Sequence, residues 1–127
     1  MTPHESPVLF SVDLRECRAL RGLTPEALSA AFAAALKRAG ANVVEASSHV
    51  FPGAGLTSVL ILAESHAVIH TWPETGTVNI DIFSCTTRLR SLDAVDELSK
   101  LLGAGSVSVR TLARADGHQV DPPSASD

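Results

Sequence analysis

Residues 63–85 read A-E-S-H-A-V-I-H-T-W-P-E-T-G-T-V-N-I-D-I-F-S-C, from Ala63 to Cys85. The second half alternates cleanly: Val78, Ile80 and Ile82 point one way, and Asn79, Asp81, Phe83 and Cys85 the other, the period of a half-buried strand. His66–Thr71 reads as a strand before it, and Pro73-Glu74-Thr75-Gly76 is the turn chemistry that joins the two. Ser58–Ala63 is a further apolar strand, meeting His66–Thr71 at Glu64–Ser65. Short turns between successive strands predict antiparallel pairing, which places the chain among sheet-based α+β folds. The segment also holds two of the five histidines, one of the two cysteines and the single tryptophan.

Outward from this hairpin, Val8–Leu14 reads as a mostly apolar first strand, with Cys17 just beyond it as a small buried residue. Thr24-Pro25-Glu26 is a helix start, with Thr24 as N-cap, and Leu28, Phe32 and Leu36 form one stripe before Gly40. Asn42–Phe51 reads as a strand closed by Pro52-Gly53. The glycines of Gly53-Ala54-Gly55 lead into a strand rather than a helix, which rejects a dinucleotide fingerprint. Ser91 is expected to cap a second helix whose buried stripe is Leu92, Val95, Leu98, Leu101 and Leu102. Ser106–Leu112 reads as the last strand. Residues 1–7 read as a loose arm, and the Asp-, Pro- and Ser-rich stretch from Arg114 as a frayed tail. The order β-α-β-β-β-β-α-β predicts a single domain over residues 1–127, a two-layer α+β sandwich with a mainly antiparallel sheet and two helices on one face. The bare opposite face calls for a covering subunit.

Composition bounds the function. The 127 residues are 45% apolar and 19% charged, with a net charge of −4. That supports one soluble globular domain and supplies no basic footprint for nucleic acid or a membrane surface. No run approaches the ~20 apolar residues of a spanning helix. The first residues lack the positive-then-apolar design of a signal peptide, so the cytoplasm is the expected compartment and Cys17 and Cys85 are expected as free thiols.

Several chemistries compete for the reactive residues. His66 and His70 would make a metal pair on a helix, but on a strand, without a following carboxylate or a third ligand, no metal site is expected. A hydrolytic Ser65–His70–Asp81 set lacks the Gly-x-Ser-x-Gly turn. Cys85 and His70 on neighbouring strands would suit a thiol–imidazole pocket. A buried thiol and a core histidine fit the same spacing.

At these residues the chain resembles the prokaryotic-type S-adenosylmethionine decarboxylases, which carry a pyruvoyl group. The resemblance lies in A-E-S-H, I-H-T-W-P-E and I-D-I-F-S-C, and extends more weakly over Leu9 to Leu112. It implies an α+β sandwich assembled as a homodimer and a self-cleaving proenzyme acting in polyamine synthesis. In the chemistry this resemblance implies, the Ser65 hydroxyl attacks the Glu64 carbonyl and converts amide to ester, and β-elimination breaks the chain. The dehydroalanine hydrolyses to a pyruvoyl group, leaving a β chain of residues 1–64 and an α chain beginning at the modified Ser65. The new ketone forms a Schiff base with the substrate amine and acts as electron sink when CO2 leaves. By the same resemblance His70 assists the elimination and Cys85 returns a proton to carbon. Glu74 accepts from the ribose hydroxyls, Phe51 stacks on adenine, and Thr57 stands where a processing serine is usual. The chain departs from the family pattern at Pro7-Val8-Leu9-Phe10, where Gly-Arg-His-Leu is usual, and at Ser58 and Thr86, where glycine is usual. These departures keep open a pyruvoyl-dependent arginine or ornithine decarboxylase, or an unprocessed binding or partner protein.

Overall fold

The computed structural model describes residues 6–115. Six strands form one sheet, β1 (Val8–Arg15), β2 (Val43–Val50), β3 (Leu56–Leu62), β4 (Ser65–Trp72), β5 (Thr77–Ser84) and β6 (Ser106–Ala113), with helices α1 (Pro25–Arg38) and α2 (Ser91–Leu102). The lateral order is β2-β3-β4-β5-β1-β6, and every neighbouring pair is antiparallel. The expected two-layer α+β sandwich is therefore present. β1 is inserted between β5 and β6, so it pairs with partners more than sixty residues away in sequence.

One face of the sheet builds the core with the helices. Val78, Ile80 and Ile82 of β5, Ala67 and Ile69 of β4, and Val12 and Leu14 of β1 are all buried. They meet Leu28, Phe32 and Leu36 of α1 and Leu98 and Leu102 of α2 in one cluster. α1 starts where Thr24 accepts a hydrogen bond from the Ala27 N–H at 3.0 Å, with Pro25 in its first turn. It ends at Arg38, and Gly40 then takes φ +107°. A Cβ there would lie 2.8 Å from the Arg88 carbonyl oxygen, so glycine is required twice over.

α2 differs from its sequence reading in two respects. The capping position is Arg90, and Ser91 is the first helical residue, buried with its Oγ unpartnered. The buried stripe is Ala94, Val95, Leu98 and Leu102, whereas Leu92 and Leu101 are exposed. At 3.6 residues per turn those two leucines fall roughly 90° to either side of the stripe's centre, beyond the contact with the sheet.

Among the described residues the other sheet face carries no helix. Across β3, β4, β5, β1 and β6 the register sets Ile61, His66, Phe83, Leu9 and Leu112 in one row. A second row holds Thr57, His70, Asn79, Asp13 and Ser108. Ile61 and Leu112 are exposed large hydrophobics on this face. Among the described residues no helix is long and apolar enough to cross a membrane.

Candidate active site

Glu64 and Ser65 sit at the tight turn between β3 and β4, against the end of β5. Antiparallel pairing sets Ser65 opposite Ser84, and the Cys85 backbone N–H donates to the Glu64 carbonyl at 3.1 Å. The Glu64–Ser65 amide is thus held next to Cys85, whose side chain is exposed. Ser65 has φ +153°, a backbone conformation that L residues rarely adopt. Its Oγ lies 3.5 Å from His66 Nδ1, and the His66 ring in turn packs on Phe83 at 5.4 Å between centroids.

A second cluster lies toward the opposite end of the same strands. Thr57 Oγ1 and His70 Nδ1 are 2.9 Å apart and part-buried, because β3 and β4 pair Thr57 with His70 directly. Both line a cleft of about 950 Å³ with Phe51, Trp72, Glu74 and Arg21. Phe51 and Glu74, the two residues expected to bind substrate, therefore line one cavity. Trp72 is fixed at its rim: Nε1 donates to Asn79 Oδ1 at 2.7 Å, and Asn79 Nδ2 donates to Asp13 Oδ1 at 2.7 Å. Arg21 Nε donates to the Pro73 carbonyl at 3.0 Å, tying the segment before α1 to the β4–β5 turn.

Within one chain these clusters are separate. Ser65 and His70 are five residues apart on one strand, about 16 Å at the usual rise. Cys85 is likewise displaced from His70, because β4 and β5 pair His70 with Asn79, six positions before Cys85. The shared Cys85–His70 pocket expected from adjacent strands does not form in one chain: in an antiparallel hairpin, residues near the turn face each other, and these two lie at opposite ends. Asp81 pairs with Val68 and not with Ser65, which leaves the hydrolytic triad unassembled.

Two departures from the family pattern are accommodated locally. Ser58 is fully buried, and its Oγ joins those of Ser29 and Ser48 in a closed set of hydrogen bonds at 2.9 to 3.1 Å. Thr86 Oγ1 accepts from the Arg88 N–H at 3.1 Å. Sequence reasoning missed Asn42, whose backbone and side chain both bond to the Glu64 carboxylate. No local pattern marks a residue that acts across a gap of 22 positions.

The profile of the S-adenosylmethionine decarboxylase family matches residues 9–115. A relative from Acidithiobacillus ferrooxidans, named S-adenosylmethionine decarboxylase proenzyme, is 39% identical over 87 residues, covering 68% of this chain and 63% of that protein. One of the same name from Clostridium kluyveri is 37% identical over 90 residues, covering 71% of each. The match thus spans somewhat under two thirds of the first relative's length. The fold matches the crystal structure of the adenosylmethionine decarboxylase from Aquifex aeolicus, with TM-score 0.73 and 21% identity over 98% of this chain and 100% of that one. With its six-stranded antiparallel sheet, its two helices and a family match over residues 9–115, this chain belongs to the S-adenosylmethionine decarboxylase family.

Proposed function

We propose that this chain is a proenzyme that cleaves itself between Glu64 and Ser65 and then decarboxylates S-adenosylmethionine, supplying the aminopropyl donor for spermidine synthesis in the cytoplasm. The observation that carries the reading is the state of the Glu64–Ser65 amide. Its carbonyl accepts the Cys85 N–H at 3.1 Å, and the next residue is a serine held at φ +153°. Attack by Ser65 Oγ on the Glu64 carbon transfers negative charge to that oxygen, and a donor already in place stabilises it without reorganisation. The strained backbone lowers the barrier further, since the ester relieves it. The acyl group moves from nitrogen to oxygen with the hydroxyl proton passing to nitrogen. Removal of the Ser65 α-proton then expels Glu64 as a carboxylate.

These residues fit a pyruvoyl group made from Ser65, which supplies an electron sink for decarboxylation. The chain's own side chains do the rest. Cys85, exposed beside Ser65, returns the proton to carbon. Glu74 accepts from the ribose hydroxyls, and Phe51 offers a π face to the purine in the cleft that both residues line. His70, with its Nδ1 oriented by Thr57 at 2.9 Å, moves the proton in the elimination.

The distance between the clusters implies that two chains share each site. A two-fold axis between the bare sheet faces, crossing β4 near Val68, sets the Ser65 end of one strand over the His70 end of its partner. It also covers the apolar row that includes Ile61, Phe83 and Leu112. A homodimer is therefore the working unit.

Denaturing mass spectrometry tests the first half: two chains split at 64/65 are expected, and a single intact chain refutes it. Ser65→Ala is expected to abolish cleavage and activity together. Release of CO2 from S-adenosylmethionine, compared with arginine and ornithine, then decides the substrate.

A further inference from the structure

Glu64 is gripped from two sides, through its carbonyl by the Cys85 N–H and through its carboxylate. The second grip comes from Asn42, on the connection between α1 and β2. The Asn42 backbone N–H donates to Glu64 Oε1 at 3.1 Å, and its Nδ2 donates to Glu64 Oε2 at 2.9 Å. The Asn42 carbonyl accepts from the Ala63 N–H at 2.9 Å. Three hydrogen bonds thus run from one residue to the two residues that precede the scissile amide.

Asn42 is exposed, but the backbone leading to it is fastened. The preceding Ala41 is buried, and its N–H donates to the Leu36 carbonyl at 2.9 Å, fastening the connection to the last turn of α1. The turn between β3 and β4 is therefore anchored to the helix layer. On the other side the Cys85 N–H holds the Glu64 carbonyl to the end of β5. Contacts on both sides of the turn oppose relaxation of φ at Ser65 toward ordinary extended values. A free turn would release that strain and swing the carbonyl off its donor.

We infer that Asn42 is a positioning residue for self-cleavage: its two donors and one acceptor lock Glu64 so that the strained Glu64–Ser65 amide stays presented to the Ser65 hydroxyl. The inference rests on the reading that this bond is the one that breaks. Asn42 touches the Glu64 carboxylate rather than the reacting atoms, so its effect falls on the formation of the ester. Its carboxylate-facing amide can be neither a carboxylate, which would repel Glu64, nor an apolar side chain, which would leave Oε2 without its donor.

The test follows chain cleavage during cell-free synthesis, by denaturing mass spectrometry with and without hydroxylamine, which cuts the ester. Asn42→Ala is expected to slow cleavage by roughly tenfold to a hundredfold without build-up of a hydroxylamine-sensitive species. Cleavage within about twofold of the unmodified chain, or accumulation of the ester, overturns the inference. Accumulated ester would place the block at elimination instead. Asn42→Asp is expected to be slower still. Combining it with Glu64→Gln re-forms the contact with donor and acceptor exchanged, and is expected to recover at least about fivefold of the lost rate. Equal rates with and without Glu64→Gln also overturn the inference, and this comparison decides even if Asn42→Ala loosens the fold. If the unmodified chain itself stays intact, the proposed function fails; if it cleaves and the variants cleave equally well, only the role of Asn42 fails.

Discussion

Mixing two defective chains gives a direct test of site sharing. Ser65 and His70 are separated by about 16 Å along β4, whereas proton transfer requires heavy atoms within about 3 Å. His70 therefore cannot serve the Ser65 of its own chain unless the strand is broken, and β4 is paired on both sides from Ser65 to His70. On the proposed cleavage, Ser65→Ala alone leaves no nucleophile, and its chains are expected to stay intact. His70→Ala alone removes the proposed proton carrier and is expected to slow cleavage by about two to four orders of magnitude. Co-expressed in equal amounts, the two variants pair at random, and half of the His70→Ala chains are expected to sit with a Ser65→Ala partner. With a shared site, those partners would supply His70 in trans. Roughly half of the His70→Ala chains should then be cut at 64/65, while every Ser65→Ala chain stays whole. The two variants differ in mass, so denaturing mass spectrometry assigns each fragment, and native mass spectrometry counts the mixed dimers. Mixed dimers present with no cut His70→Ala chains would refute the shared site. It would mean that His70 acts within its own chain after a rearrangement of β4, or does not act in cleavage.

Two further predictions concern the scaffold and the thiols. Ile80 is fully buried in β5, between β4 and β1, so Ile80→Ala in the uncleavable Ser65→Ala background should lower unfolding free energy by about 2–5 kcal/mol in urea titrations, and a loss under about 1 kcal/mol would contradict the core assignment. Cys85 is exposed and Cys17 buried, and burial pushes the Cys17 thiol above its ordinary pKa. The folded state thus holds that proton more tightly than the unfolded chain. Its contribution to stability is complete below the unfolded thiol's pKa and is lost as pH rises through the raised value. Iodoacetamide near pH 8 should modify Cys85 and spare Cys17 until the chain unfolds, and equal labelling of the two would contradict the burial.

Much of the fold is legible in the sequence alone. Alternation in Thr77–Cys85 set which side chains face the helices, because a strand's period of two leaves no other choice. Thr24-Pro25 announced α1, since a hydroxyl acceptor and a residue without an N–H are what an unsatisfied first turn accommodates. Ser91 misled because a cap residue type at a helix start fits both the capping position and the first helical position. Leu92 and Leu101 misled because hydrophobicity does not say how wide the contact with the sheet is.

The sequence by itself determined the strands, the faces they present and the crowding of reactive residues between Glu64 and Cys85. Those properties are local, written in spacing and residue type. Tertiary structure alone decided who stands beside whom. It put β1 between β5 and β6, set Asn42 on Glu64, aimed the Cys85 N–H at the bond expected to break, and divided the reactive stretch between two ends of one strand. Pairings across tens of residues follow from how the whole sheet and its helices pack. No periodicity within a segment records them.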